Sequence, residues 1–75
     1  MVFDKMKEAL ASQFEVDAVS ITMDTNIVED LGADSLDLVE LIMSLEEEYS
    51  ISVTDESIYS YKTVGEIVSY IEGLL

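Results

Sequence analysis

Ser35 is the side chain of this 75-residue sequence best placed to do chemistry. It sits in Asp34-Ser35-Leu36, after a loop carrying Gly32 and at the head of a long helical pattern. The start of a helix offers unpaired backbone N–H groups and the positive end of the helix dipole. An anion is stabilised there even inside an acidic segment, so the expected chemistry is a phosphate held covalently on the Ser35 hydroxyl. Asp34 fits the N-cap, where a short side-chain acceptor bonds the N–H two or three positions on. Asp37 then falls in the first turn.

Composition narrows what else the chain can do. It has no cysteine and no histidine, so disulfides, cysteine-rich zinc sites and the usual neutral-pH base are missing. No catalytic residue and no metal ligand is assigned, and independent catalysis is not expected. A thiol or thioester would have to come from an attached group. Seventeen acidic residues against three lysines give a formal charge of −14, which repels nucleic acid and anionic lipid and attracts basic protein surfaces. No Lys or Arg occurs between Lys7 and Lys62, and Glu29, Asp30, Asp34, Asp37, Glu40, Glu46, Glu47, Glu48, Asp55 and Glu56 fill the gap. A docking partner should therefore be basic. The bland alternative is a solvated acidic face that serves solubility. No apolar run approaches a membrane span, and the opening MVFDKMKEAL lacks a secretory core with a cleavage site. A cytoplasmic monomer with no membrane insertion is expected.

The elements that must position Ser35 follow from periodicity. Phe3, Met6, Leu10 and Phe14 share a narrow arc at about 100° per residue, which predicts a first helix over 2–15 with these residues in the core. The pattern breaks over 16–33, where turn-forming residues make a long connection pinned by Val16, Ile21, Ile27 and Leu31, with a short helical turn over 27–31. Gly32 would let the chain reverse. A second helix over 35–50 turns Leu38, Leu41, Ile42, Leu45 and Tyr49 inward. Leu36, Val39 and Met43 form an opposite stripe flanked by Glu40 and Glu47, expected to be exposed to a partner. Glu46, Glu47 and Glu48 lie where the helix dipole disfavours negative charge. Thr54 caps a short third helix over 54–61 with Ile58 and Tyr61 inward. Thr63-Val64-Gly65-Glu66 matches a capping box opening a fourth helix, with Val64, Ile67, Val68 and Ile71 in the core and Gly73 as its stop. The fold class is all-α: a small four-helix bundle, three longer helices and one short, with a long loop between the first two, forming a single domain over 1–75.

The stretch 29–49, EDLGADSLDLVELIMSLEEEY, resembles the signature region of the acyl carrier proteins. DLGADSLD is close to the form found in free-standing fatty-acid-synthesis carriers, and the likeness extends across the chain. It implies 4′-phosphopantetheine, derived from coenzyme A, attached to Ser35 by a phosphopantetheinyl transferase, with growing acyl chains held as thioesters and sheltered between helices. It further implies docking through Asp34, Asp37, Glu40, Glu46 and Glu47 around Leu36, Val39 and Met43. The partners implied are basic-surfaced synthases, reductases, dehydratases and acyltransferases. Thr54 stands where many of that family have proline, and Tyr59 and Tyr61 make the third helix more aromatic than usual. A carrier for polyketide, peptide or D-alanyl transfer is the alternative within the class. Outside it stand an acidic adaptor and a calcium-binding protein, although Asp24-Thr25-Asn26-Ile27-Val28-Glu29 has Val at a ligand position and no glycine at its sixth.

Overall fold

Helical periodicity becomes four α-helices in the computed structural model, which describes residues 2–54 and 56–75. They are α1 (Val2–Phe14), α2 (Ile27–Leu31), α3 (Ser35–Tyr49) and α4 (Val64–Leu74), with 3₁₀ helices at Ala18–Ser20 and Glu56–Ser60. The architecture is all-α, three longer helices around a shared core, and among the described residues the one extended pairing is an isolated bridge between Asn26 and Thr63. No described helix is long and apolar enough to cross a membrane.

The core takes Val2, Met6 and Leu10 from α1, Leu38, Leu41, Ile42 and Leu45 from α3, and Val64, Ile67, Val68 and Ile71 from α4, with Ile21, Ile27, Ala33 and Ile58 from the connections. The α1 expectation needs correcting. Phe3 and Phe14 are only partly buried at the edge of the core, because the centre of the buried face is rotated onto the i, i+4 row Val2, Met6, Leu10. Lys7 Nζ instead lies 4.8 Å from the centroid of the Phe3 ring. Helix α1 ends at Phe14 and Glu15 takes a left-handed φ of 55°.

The long connection is ordered by side-chain caps. The Asn26 side chain accepts from Val28 N and Glu29 N at 3.0 and 2.9 Å, and the Asp30 carboxylate accepts from Asn26 N at 2.8 Å. Gly32 closes α2 with φ 72°, in the region that favours glycine, and its N–H bonds the Val28 carbonyl at 3.1 Å. Three backbone bonds then clip the connection to the start of α4: Ile27 N to Lys62 O at 2.7 Å, Val64 N to Thr25 O at 3.0 Å and Gly65 N to Met23 O at 2.8 Å. A Cβ at Gly65 would lie 3.0 Å from the Met23 carbonyl, so a side chain there would crowd this approach.

Three expectations about the second half are revised. Helix α3 stops at Tyr49, and Ser50 forms the left-handed cap with φ 54°. The third helix is a 3₁₀ helix over Glu56–Ser60, a tighter form suited to five residues and closed by Tyr61 N to Ile58 O at 3.2 Å. Ile58 is buried and Tyr61 half-buried; Asp55, counted among the acids following the Thr54 cap, lies outside the described residues. Gly73 does not stop α4, which runs through Leu74; glycine permits a left-handed turn without forcing one, and Gly73 has no positive φ.

Thr63 and Glu66 form the expected capping box. The Glu66 carboxyl is held below its usual range by the backbone N–H groups of Thr63 and Lys62 and then by the Thr63 hydroxyl. At the far end of α3, burial pushes the Tyr49 phenol up, with the Glu48 charge adding to it. The Tyr49 hydroxyl is buried without a hydrogen-bond partner among the described residues.

Candidate functional site

Asp34 is extended, at φ −104° and ψ −175°, and caps α3. Its carboxylate accepts from Asp37 N at 2.9 Å, while the Asp37 carboxylate accepts from Asp34 N at 3.1 Å. The reciprocal box fixes the first turn from both sides. Of the first four N–H groups of α3, that of Asp37 goes to the Asp34 carboxylate and that of Leu38 to the Asp34 carbonyl at 3.1 Å. Among the described residues those of Ser35 and Leu36 have no hydrogen-bond acceptor, as is usual at the open end of a helix. Gln13, near the end of α1, donates through Nε2 to the Asp37 carbonyl at 2.9 Å and ties this turn to the first helix.

Ser35 is exposed at the rim of a groove of about 200 Å³. Its walls come from three separate pieces of chain: Ile27 and Val28 of α2, Ala33, Asp34, Ser35 and Leu38 at the start of α3, and Tyr59 and Tyr61 in and after the second 3₁₀ helix. Ile27, Ala33 and Leu38 are buried and make the floor, whereas Val28 is 47% and Tyr59 44% exposed. The Tyr61 ring meets Tyr70 of α4 edge to face, centroids 6.1 Å apart at 66°. No local sequence pattern indicates this groove: Tyr59 and Tyr61 are far from Ser35 in the chain and meet it only through tertiary packing.

The stripe on α3 is uneven. Leu36 and Met43 are 66% and 60% exposed, while Val39 is half-buried. The carboxylates also divide. Those of Asp34 and Asp37 close the capping box, and that of Glu46 accepts from Val53 N at 2.7 Å. Glu48 pairs with Lys5 Nζ at 3.2 Å, an exposed contact that raises the lysine pKa. Glu40 and Glu47 are exposed and line, with Met43 and Ser44, an open groove facing Ala9, Ser12 and Gln13 of α1. Two of the three glutamates placed against the helix dipole thus have structural partners, and Glu47 points to the groove side. Among the described residues no three Asp or Glu side chains converge as metal ligands.

A bundle that exposes a serine hydroxyl at an acidic helix start, beside an apolar groove, has the features of a carrier for a tethered group. Consistent with that class, residues 4–71 match the family model described as a phosphopantetheine attachment site. The chain is 50% identical over 73 residues to the acyl carrier protein of Clostridium acetobutylicum, covering 97% of this chain and 95% of that one. It is 51% identical over 70 residues to that of Clostridium perfringens, covering 93% and 92%. In structure it resembles the acyl carrier protein from Enterococcus faecalis, with TM-score 0.82 and 32% identity, covering 99% of this chain and 94% of that one. The chain belongs to the acyl carrier protein family, whose members are carriers with a covalent phosphopantetheine group rather than catalysts. Members of this family work with a phosphopantetheinyl transferase and with acyl-handling enzymes.

The residues at the start of α3 fit such a group. An exposed hydroxyl, two helix N–H groups left over for phosphate oxygens and an apolar groove at the same rim suit, in turn, its point of linkage, its phosphodiester and its cargo.

Proposed function

We propose that the Ser35 hydroxyl is the attachment point of 4′-phosphopantetheine and that the 75 residues form one acyl-carrier domain. It presents growing acyl chains to the enzymes of fatty-acid synthesis in the cytoplasm, as a monomer. The observation that carries this reading is the exposure of Ser35 at the capped start of α3, on the rim of the apolar groove. When bound, the group supplies a thiol on a flexible arm, chemistry that a chain without cysteine lacks.

The chain's own residues do the rest. Asp34 and Asp37 hold the turn in shape, so Ser35 faces outward without help from a partner. Ile27, Ala33 and Leu38 offer a dry surface, and each methylene taken from water there contributes about 0.8 kcal/mol. The docking face we propose is Asp34, Leu36, Asp37, Val39, Glu40, Met43, Glu46 and Glu47. Within it Glu40 and Glu47 meet the basic surface of the transferase, and of synthases, reductases, dehydratases and acyltransferases. Exposed charges of this kind speed encounter and weaken with salt, which suits a shuttle that must let go.

Intact mass after incubation with coenzyme A and a phosphopantetheinyl transferase tests the assignment. The wild-type chain should gain the mass of one arm and Ser35→Ala should gain none. The variant's melting temperature should stay close to wild type, because a surface substitution of this kind costs within about 0.5 kcal/mol. A modified alanine variant would refute the assignment.

A further inference from the structure

Asp37 engages all three of its polar groups around the turn that carries Ser35. Its N–H and its carboxylate close the box with Asp34 at 2.9 and 3.1 Å, and its carbonyl accepts from Gln13 Nε2 at 2.9 Å. The first two bonds shape the turn from within and leave open where it lies on the bundle. Among the described residues, the third is the one hydrogen bond that joins residues 34–38 to another helix. Buried Ala33 and Leu38 also anchor the turn, but apolar packing is non-directional, whereas a hydrogen bond weakens steeply as it bends. The half-buried Gln13 therefore sets how α3 is rotated against the end of α1.

The same side chain lines the groove between α1 and α3 with Ser12, Glu40, Met43 and Glu47. It stands where the proposed docking face meets the serine-bearing turn. A transferase seated on Glu40 and Glu47 must find the Ser35 hydroxyl at a fixed offset, and a misplacement of about 1 Å in such a geometry costs about a hundredfold in rate.

We propose that Gln13 is a positioning residue for the loading of Ser35: through the Asp37 carbonyl it holds the hydroxyl in register with the docking groove. This rests on the reading that Ser35 is the attachment point. In loading, the Ser35 oxygen forms a P–O bond to the pantetheine-side phosphorus of coenzyme A. The P–O bond to the nucleotide breaks, adenosine 3′,5′-bisphosphate leaves, and the serine proton passes to a base of the transferase. Gln13 touches none of these atoms and acts only through the turn.

The test follows the rate of loading of the full chain by a phosphopantetheinyl transferase and coenzyme A, well below the unfolding temperature. Gln13→Met keeps the length of the side chain and removes its donor. Its kcat should fall about tenfold with KM within about twofold of wild type, because the groove carboxylates are untouched. Thr63→Ala, which weakens the α4 cap without touching this turn, should keep the wild-type kcat. Peptide mapping first locates the arm: an arm elsewhere than on Ser35 overturns the attachment reading and this proposal with it. With Ser35 loaded, an unchanged kcat in Gln13→Met, or a loss confined to KM, overturns this proposal alone. An equal kcat loss in Thr63→Ala also overturns it, since the effect would then be one of stability. If Gln13→Met does not fold, Gln13→Glu, of the same shape but with no donor at neutral pH, should show the same fall in kcat, and a wild-type kcat there overturns the proposal.

Discussion

The side of the bundle where α1 meets α4 and the end that carries Ser35 are built on different terms. On the first, Met6, Leu10, Val64, Ile67 and Ile71 are fully buried on regular helices. At the second, short pieces surround the serine: a five-residue α2, a five-residue 3₁₀ helix and the first turn of α3, with Val28, Leu36 and Tyr59 left exposed. On the proposed reading, the contrast teaches that this small chain separates holding the fold from handling cargo. Regions with few buried contacts open locally at lower cost than the core, so under that reading the end with Ser35 accepts a chain while the other keeps the bundle together.

The strongest way to break this contrast is a pair of truncations. Ile71→Ala should cost about 2–5 kcal/mol in urea unfolding, because a buried position that cannot collapse leaves a cavity. Leu38→Ala should cost less, since Leu38 already borders the groove and loses fewer packed neighbours. Equal losses would end the distinction.

The α4 cap sharpens it at a smaller scale. Thr63→Ala should lose about 1 kcal/mol, seen as faster amide exchange in the first turn of α4. Glu66 adds a pH signature. Its carboxyl pKa is depressed in the folded state, so its contribution is present above the unfolded carboxylate pKa and is lost as pH falls through the folded one. The stability gap between wild type and Glu66→Gln should accordingly be full at neutral pH and close in acid. A gap that widened in acid would contradict the hydrogen bonds drawn to Glu66.

The smallest effect concerns docking. Glu47→Lys should weaken binding to a basic-surfaced partner about two- to fivefold at low salt, the range of a single exposed charge, and little at high salt. Glu46→Gln should instead register mainly in stability, because that carboxylate holds Val53 N. Affinity indifferent to Glu47 and to ionic strength would remove the electrostatic account.

What was legible in the sequence follows from range. The Asp34 cap, the Thr63 box, the Leu38 to Leu45 face and the Val64 to Ile71 stripe depend on neighbours three or four positions away, and each is found. The edge position of Phe3 and Phe14 depends on how α1 is rotated against α4, which no local pattern states. The tight form of the third helix reflects its five-residue length winning over its capping signals. The groove was hidden because Val28, Ala33 and Tyr59 meet only through tertiary packing. Periodicity also could not show that Asp37 and Glu46, chosen for their charge, spend their carboxylates on backbone N–H groups.

The three bonds that clip the long connection to the start of α4 bear on how the cargo cleft can widen. Because Ile27 is bonded to Lys62, the strand of chain leaving Tyr61 and the one entering Val28 share a common seam. That stitch fixes one margin of the groove. Among the described residues no backbone bond spans the opposite margin, between Tyr59 and the first turn of α3, and on the proposed reading this side-chain seam lies next to the hydroxyl from which a tethered chain enters and leaves.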